Sequence, residues 1–213
     1  TVQVENLFYN TPARLKFLKS DTTEASHVAR LVSSYALAYP DKRLAYHHND
    51  RLVVRTTGTG RLYDVIVAIY GLDVAEQMLE IEARQGPAGI TVEGYVSAPS
   101  VHRPGRQDMV FFVNGRWVQD NSLTYAVTEA YRSLLPTGRH PMAVIDLRVD
   151  PGDVDVNIHP TKREVRFRQG QDVFGLLQRA VRRALVEHAA LPQVAQVRGG
   201  AIITRYLFHT ECI

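Results

Sequence analysis

One cysteine, Cys212, is all that 213 residues hold. A single thiol closes no internal disulfide and builds no thiolate metal site, and it suits a reducing cytosol. No apolar run approaches the roughly 20 residues that cross a bilayer, and no signal peptide is visible. Internal repeats and long low-complexity tracts are missing too. What remains is ordinary for a globular chain: 45% apolar and 22% charged residues, with length for one large or two small domains. The net charge of +3 is by itself weak evidence for a polyanionic partner. Its distribution says more. From Lys162 to Arg183 seven basic residues stand against Glu164 and Asp172, either a solvated helix face or an anion-facing surface.

Local patterns predict a mixed α+β chain. Val2, Val4 and Leu7 alternate with polar residues as the end of a strand does. Asn10-Thr11-Pro12 reads as a helix start, with Thr11 as cap and Pro12 in the first turn, where its missing N–H costs nothing. Asp21 and Glu24 have capping-box spacing for a longer helix that runs to Pro40. His47-His48-Asn49-Asp50 reads as an exposed turn between strands 44–47 and 52–55. Thr56-Thr57-Gly58-Thr59-Gly60 is the linker candidate. Beyond it come a short helix from Leu62 ended by Gly71, strands at Ile90–Val96 and Met109–Val113, and Asn114-Gly115 as a hairpin turn. A helix over 122–135, a strand over 143–149, a tight turn over 150–153 and a final helix after Asp172 complete the pattern. The start falls in strand-like sequence, which predicts a piece of something longer. Residues 190–213 read as a linker or a non-native tail.

The most informative stretch is Val154-Asp155-Val156-Asn157-Ile158-His159-Pro160-Thr161-Lys162-Arg163-Glu164-Val165-Arg166-Phe167. Alternation stops at His159-Pro160 and resumes after Lys162, so a stiff loop between two strands presents one lysine. This stretch closely resembles an element of MutL-type DNA mismatch repair proteins. So does Leu7-Phe8-Tyr9-Asn10-Thr11-Pro12-Ala13-Arg14-Leu15-Lys16-Phe17, and so does Phe112-Val113-Asn114-Gly115-Arg116.

The resemblance covers roughly residues 1–189. It implies that residues 1–58 are the C-terminal part of a GHKL (Bergerat-type) ATPase α/β sandwich. Residues 61–189 are then a ribosomal-protein-like βαβ transducer domain. It further implies a cytoplasmic bacterial protein, nucleoid-associated during repair. ATP with Mg2+ is the implied cofactor of the whole protein. The implied partners are DNA, a MutS-type mismatch recognition protein, a downstream nuclease or helicase, and a second copy in a homodimer; no membrane is implied. The catalytic Glu and metal-binding Asn of an early helix, the Asp-x-Gly-x-Gly and the Gly-rich lid of these ATPases do not occur in this sequence. No cofactor is therefore expected on this stretch alone, and no ATP hydrolysis.

On the resemblance, Lys162 is the catalytic and nucleotide-binding candidate, an ammonium placed as a point charge at the γ-phosphate. Asn157, His159 and Pro160 would fix its loop; no second His, Cys or carboxylate is spaced to make His159 a ligand or base. Asn10, Thr11, Pro12, Ala13 and Arg14 would support the nucleotide lid, or simply dock one domain on the next. Arg116 would line the DNA groove; the alternative is a cross-strand ion pair with an acid such as Asp120. Arg166 and Arg168 are further DNA candidates, and Arg179, Arg182 and Arg183 weaker ones. Two rivals stay open: the transducer of a type II topoisomerase-like ATPase, and a stand-alone nucleic-acid-binding module.

Overall fold

The computed structural model describes residues 2–155 and 164–190. Helix α1 (Pro12–Leu15) begins after Thr11, whose side chain makes no capping bond; Pro12 sits in the first turn as expected. The residues before it form no strand, and Val2 and Val4 are exposed at 92% and 73%. A strand needs a ladder, and none is offered to them among the described residues.

Helix α2 (Asp21–Ala38) is capped one residue earlier than its capping-box spacing suggests: Ser20 accepts from the Thr23 N–H, and Glu24 accepts from the Lys19 N–H at 2.9 Å. β1 (Ala45–His48) and β2 (Arg51–Arg55) form an antiparallel hairpin whose turn is Asn49-Asp50, with φ of 49° and 60°. The turn is thus narrower than expected, and His47 and His48 belong to the strand. The predicted linker is pinned at both ends. Thr56 is buried, donating its hydroxyl to the Lys42 carbonyl and accepting from the Leu44 N–H, and the Gly60 N–H bonds the Pro40 carbonyl.

α3 (Leu62–Tyr70) ends at Gly71, and α4 (Leu72–Ala75) follows. Next come β3 (Met78–Gln85), β4 (Thr91–Ser97), β5 (His102–Arg103), β6 (Met109–Val113), β7 (Arg116–Val118), α5 (Asn121–Ala130), β8 (His140–Pro141) and β9 (Ala143–Arg148). A two-stranded ribbon of β10 (Val154–Asp155) and β11 (Arg166–Phe167) precedes α6 (Gly170–Ala190). Five strands make one sheet in the order β3-β4-β9-β6-β7. β6 and β9 run parallel, joined through α5, and every other neighbouring pair is antiparallel.

Strand alternation divides the apolar side chains between two layers. Phe111, Val113, Ile145 and Leu147 pack with Leu123, Val127, Leu177 and Val181 of α5 and α6. Val110, Phe112 and Val144 face the other way, onto Leu37 of α2 and Val65 and Ile66 of α3. The sheet is covered on both sides, which explains why β6 is buried along its whole length. α2, from the first segment of the chain, supplies part of the second layer.

Candidate nucleic-acid interface

The β6–β7 hairpin carries the site. Asn114 and Gly115 adopt φ of 51° and 75°, so the turn has the left-handed pair that the sequence predicted. Arg116 opens β7 at the sheet edge, opposite Val113. Its side chain is exposed, and among the described residues no hydrogen bond or ion pair holds it. Asp120 is not its partner. That carboxylate caps α5, accepting the Leu123 N–H at 2.9 Å.

The turn is fastened from two sides. The Asn114 amide donates to the Val149 carbonyl at 2.8 Å and accepts the Val149 N–H at 2.9 Å, while the Asn114 main-chain N–H bonds the Leu147 carbonyl. The Tyr39 hydroxyl, just past α2, donates to the Gly115 carbonyl at 3.4 Å. These bonds bring together segments far apart in sequence, and sequence patterns carry no signal for them.

Val149 leads through Asp150–Asp153 to the β10–β11 ribbon, so Arg116 and the ribbon lie at the same end of the sheet. Arg166 is exposed, in register with Asp155 across the ribbon. Arg168 is mostly exposed and pairs with the Asp153 carboxylate at 3.3 Å. On α6, Arg183 pairs with Glu187 at 2.6 Å. Of the arginines proposed for DNA, Arg168 and Arg183 are held in ion pairs, whereas Arg116, like Arg166, is exposed with no side-chain hydrogen bond or ion pair among the described residues. Lys162, Asn157, His159 and Pro160 lie outside the described residues. Asn10, Thr11, Pro12, Ala13 and Arg14 sit in and before the exposed α1, which buries no residue.

One feature of this region escaped the sequence reading. A cleft of about 810 Å³ lies between the end of α2, the start of α3 and the sheet face bearing Glu93, Tyr95 and Asp146. Arg148 bonds Glu93 at 2.8 Å and reaches Asp146 at 3.6 Å, which leaves Asp146 Oδ1 buried without a hydrogen-bond partner. Burial raises the Asp146 pKa, against the lowering pull of Arg148. Tyr63 and Tyr95 meet at 6.1 Å on its wall. Among the described residues no group of three His, Cys, Asp or Glu gathers to hold a metal ion. No described helix is long and apolar enough to cross a membrane.

Residues 66–186 match the model of the family described as "DNA mismatch repair protein, C-terminal domain". This chain belongs to the DNA mismatch repair protein family. Within it the similar proteins are of the MutL type, as the sequence elements implied. The chain is 40% identical over 197 residues to the DNA mismatch repair protein MutL of Anoxybacillus flavithermus, covering 92% of this chain and 32% of that one. It is 42% identical over 191 residues to MutL of Desulforudis audaxviator, covering 90% and 34%. The chain thus spans about a third of the length of the curated relatives it matches.

Solved structures agree on the fold. The N-terminal domain of a DNA repair protein superposes with a TM-score of 0.69 at 19% identity, covering 87% of this chain and 61% of that one. The Aquifex aeolicus MutL ATPase domain complexed with ADP gives 0.52 at 23% identity, covering 70% and 52%. The mismatch repair chain accordingly has the α+β fold of these domains.

Proposed function

We propose that this stretch is the DNA-contacting and nucleotide-sensing segment of an ATP-dependent MutL clamp. In that reading ATP and Mg2+ are held by motifs that this sequence does not contain, within a full-length MutL chain. The chain's own contribution is Lys162, set against the γ-phosphate, where a fixed positive charge stabilises charge developing on transfer. ATP-driven dimerisation then closes the clamp on DNA and licenses contact with a MutS-type partner and a downstream nuclease or helicase, in the cytoplasm. Arg116 meets the DNA backbone, with Arg166 and Arg168 as secondary contacts. Phosphate contacts of this kind carry affinity without sequence information, which suits a protein that must act wherever a mismatch falls.

The observation that carries the reading is the exposed and unengaged Arg116 on a rigid hairpin, in a chain of this family. It is tested by measuring duplex binding against salt. Arg116→Ala should weaken binding on every sequence and lower the slope of log K on log salt by about 0.9, the value of one lost phosphate contact. An unchanged slope refutes DNA contact at Arg116. In a full-length MutL chain carrying this segment, Lys162→Ala should slow ATP turnover by about tenfold or more; unaltered turnover removes Lys162 from the mechanism.

A further inference from the structure

The hairpin that carries Arg116 has only a short ladder of its own. β7 is a strand of three residues, paired with β6 at Phe111–Val118, Phe112–Trp117 and Val113–Arg116, and among the described residues no further strand pairs with it in this sheet. The parallel ladder of β6 with β9 stops at Val113 and Leu147. A short edge ribbon of this kind frays and twists, and an arginine at its tip would sample many positions.

Asn114 supplies what the ladder lacks. Its amide satisfies both the N–H and the carbonyl of Val149, 35 positions away, and so acts as one more rung beyond the end of the sheet. The turn alone does not require this. A left-handed residue at that place could be Gly, Asp or Asn. Only the amide of Asn offers a donor and an acceptor together. The chain contains its own comparison: Asn49, in a turn with the same left-handed pair, makes no side-chain hydrogen bond among the described residues. The bond to Val149 is therefore an addition to the turn and not a consequence of it.

We propose that Asn114 is a positioning residue for DNA binding: its clasp on Val149 holds the hairpin so that the Arg116 guanidinium meets the phosphate backbone already oriented. The clasp lowers the ordering cost of the contact, which an untethered edge hairpin would meet on binding. This inference rests on the DNA reading of Arg116, and its test separates the two. Duplex affinity is measured over a range of salt for the wild-type chain, Asn114→Gly, Arg116→Ala and the double variant. Asn114→Gly keeps the backbone conformation available, leaves formal charge untouched and deletes only the clasp.

Arg116→Ala should lower the salt slope. Asn114→Gly should lower both affinity and slope nearly as much, and the double variant should lose no more than Arg116→Ala alone. That lack of additivity is the signature of one residue acting through the other, which a merely structural role would not give. Additive losses, or a full slope in Asn114→Gly, overturn the positioning role while leaving Arg116 in contact with DNA. A full slope in Arg116→Ala overturns the DNA reading itself. Circular dichroism and thermal melting confirm that each variant folds. Should Asn114→Gly fail to fold, Asn114→Ser, too short to span both Val149 groups, takes its place in the same cycle with the same outcomes.

Discussion

Tyr131, the residue after α5, donates its buried hydroxyl to the main-chain carbonyl of Ser97 at the end of β4. Ser97 is itself fully buried, donating to the Val101 carbonyl at 2.7 Å and accepting the Met142 N–H at 3.1 Å. One tyrosine and one serine thus tie the helix, β4 and the start of β9 together. Tyr131→Phe keeps the ring and deletes the bond. Equilibrium denaturation should show a loss of about 1–2 kcal/mol, the usual consequence of leaving a buried carbonyl with a partner missing. No change would mean that the carbonyl is satisfied elsewhere.

Phe111 is 1% exposed and sits between the sheet and the helices α5 and α6. Phe111→Ala removes most of a buried aromatic side chain from a packed layer. A cost of about 3–5 kcal/mol in urea denaturation is expected, from lost burial plus the cavity left behind. Phe111→Leu should cost far less, because most of the volume stays filled.

Gly94 has φ of 140°, and a Cβ built on it would lie 2.1 Å from the Val144 carbonyl oxygen. The obstacle is backbone of the central strand β9, which cannot swing aside. Gly94→Ala should therefore destabilise by at least about 3 kcal/mol, combining backbone strain with a clash. A variant that melts at the wild-type temperature would contradict this geometry.

Asp146 gives a pH prediction with a definite sign. Burial raises its folded pKa above the ordinary 3.8, Arg148 pulling the other way. The folded state then holds the proton more tightly than the unfolded one. Its contribution is greatest at acid pH and declines as pH rises through the raised folded pKa. Asp146→Asn has no such proton. Relative to that variant, the wild-type protein should lose stability as pH rises from the ordinary carboxylate value of 3.8 through the raised folded one. A wild-type advantage that grows with pH would mean the pair with Arg148 outweighs burial.

Much of the local architecture was written in the sequence. The Asn114-Gly115 hairpin, α3 with its stop at Gly71 and the strand at Met109–Val113 follow from short-range patterns, and each is found where it was expected. Misplacements came where neighbours decided. The helix expected over 122–135 ends at Ala130, where Tyr131 turns to Ser97 and Ser133 takes φ of 70°. β3 was missed although Leu79 and Ile81 alternate with Glu80 and Glu82, and its ladder carries an irregularity between Ile81 and Arg84. Legibility of the site divides in the same way. Arg116 could be singled out because it stands beside a recognisable turn, whereas the clasp of Asn114 on Val149 is a contact across 35 positions that leaves no local trace. The proposed phosphate contact of Lys162 is a matter of sequence resemblance alone.

The sheet's strand order has a consequence for how the protein is made. β9 lies between β4 and β6, so the two halves of the sheet have no hydrogen-bonded seam until residues 143–148 have been synthesised. A nascent chain shorter than that exposes the inner edges of β4 and β6 together with the apolar side chains above and below them. On the ribosome the protein passes through an interval in which two sticky half-sheets wait for the strand that joins them, and it is there that a chaperone would find most to hold.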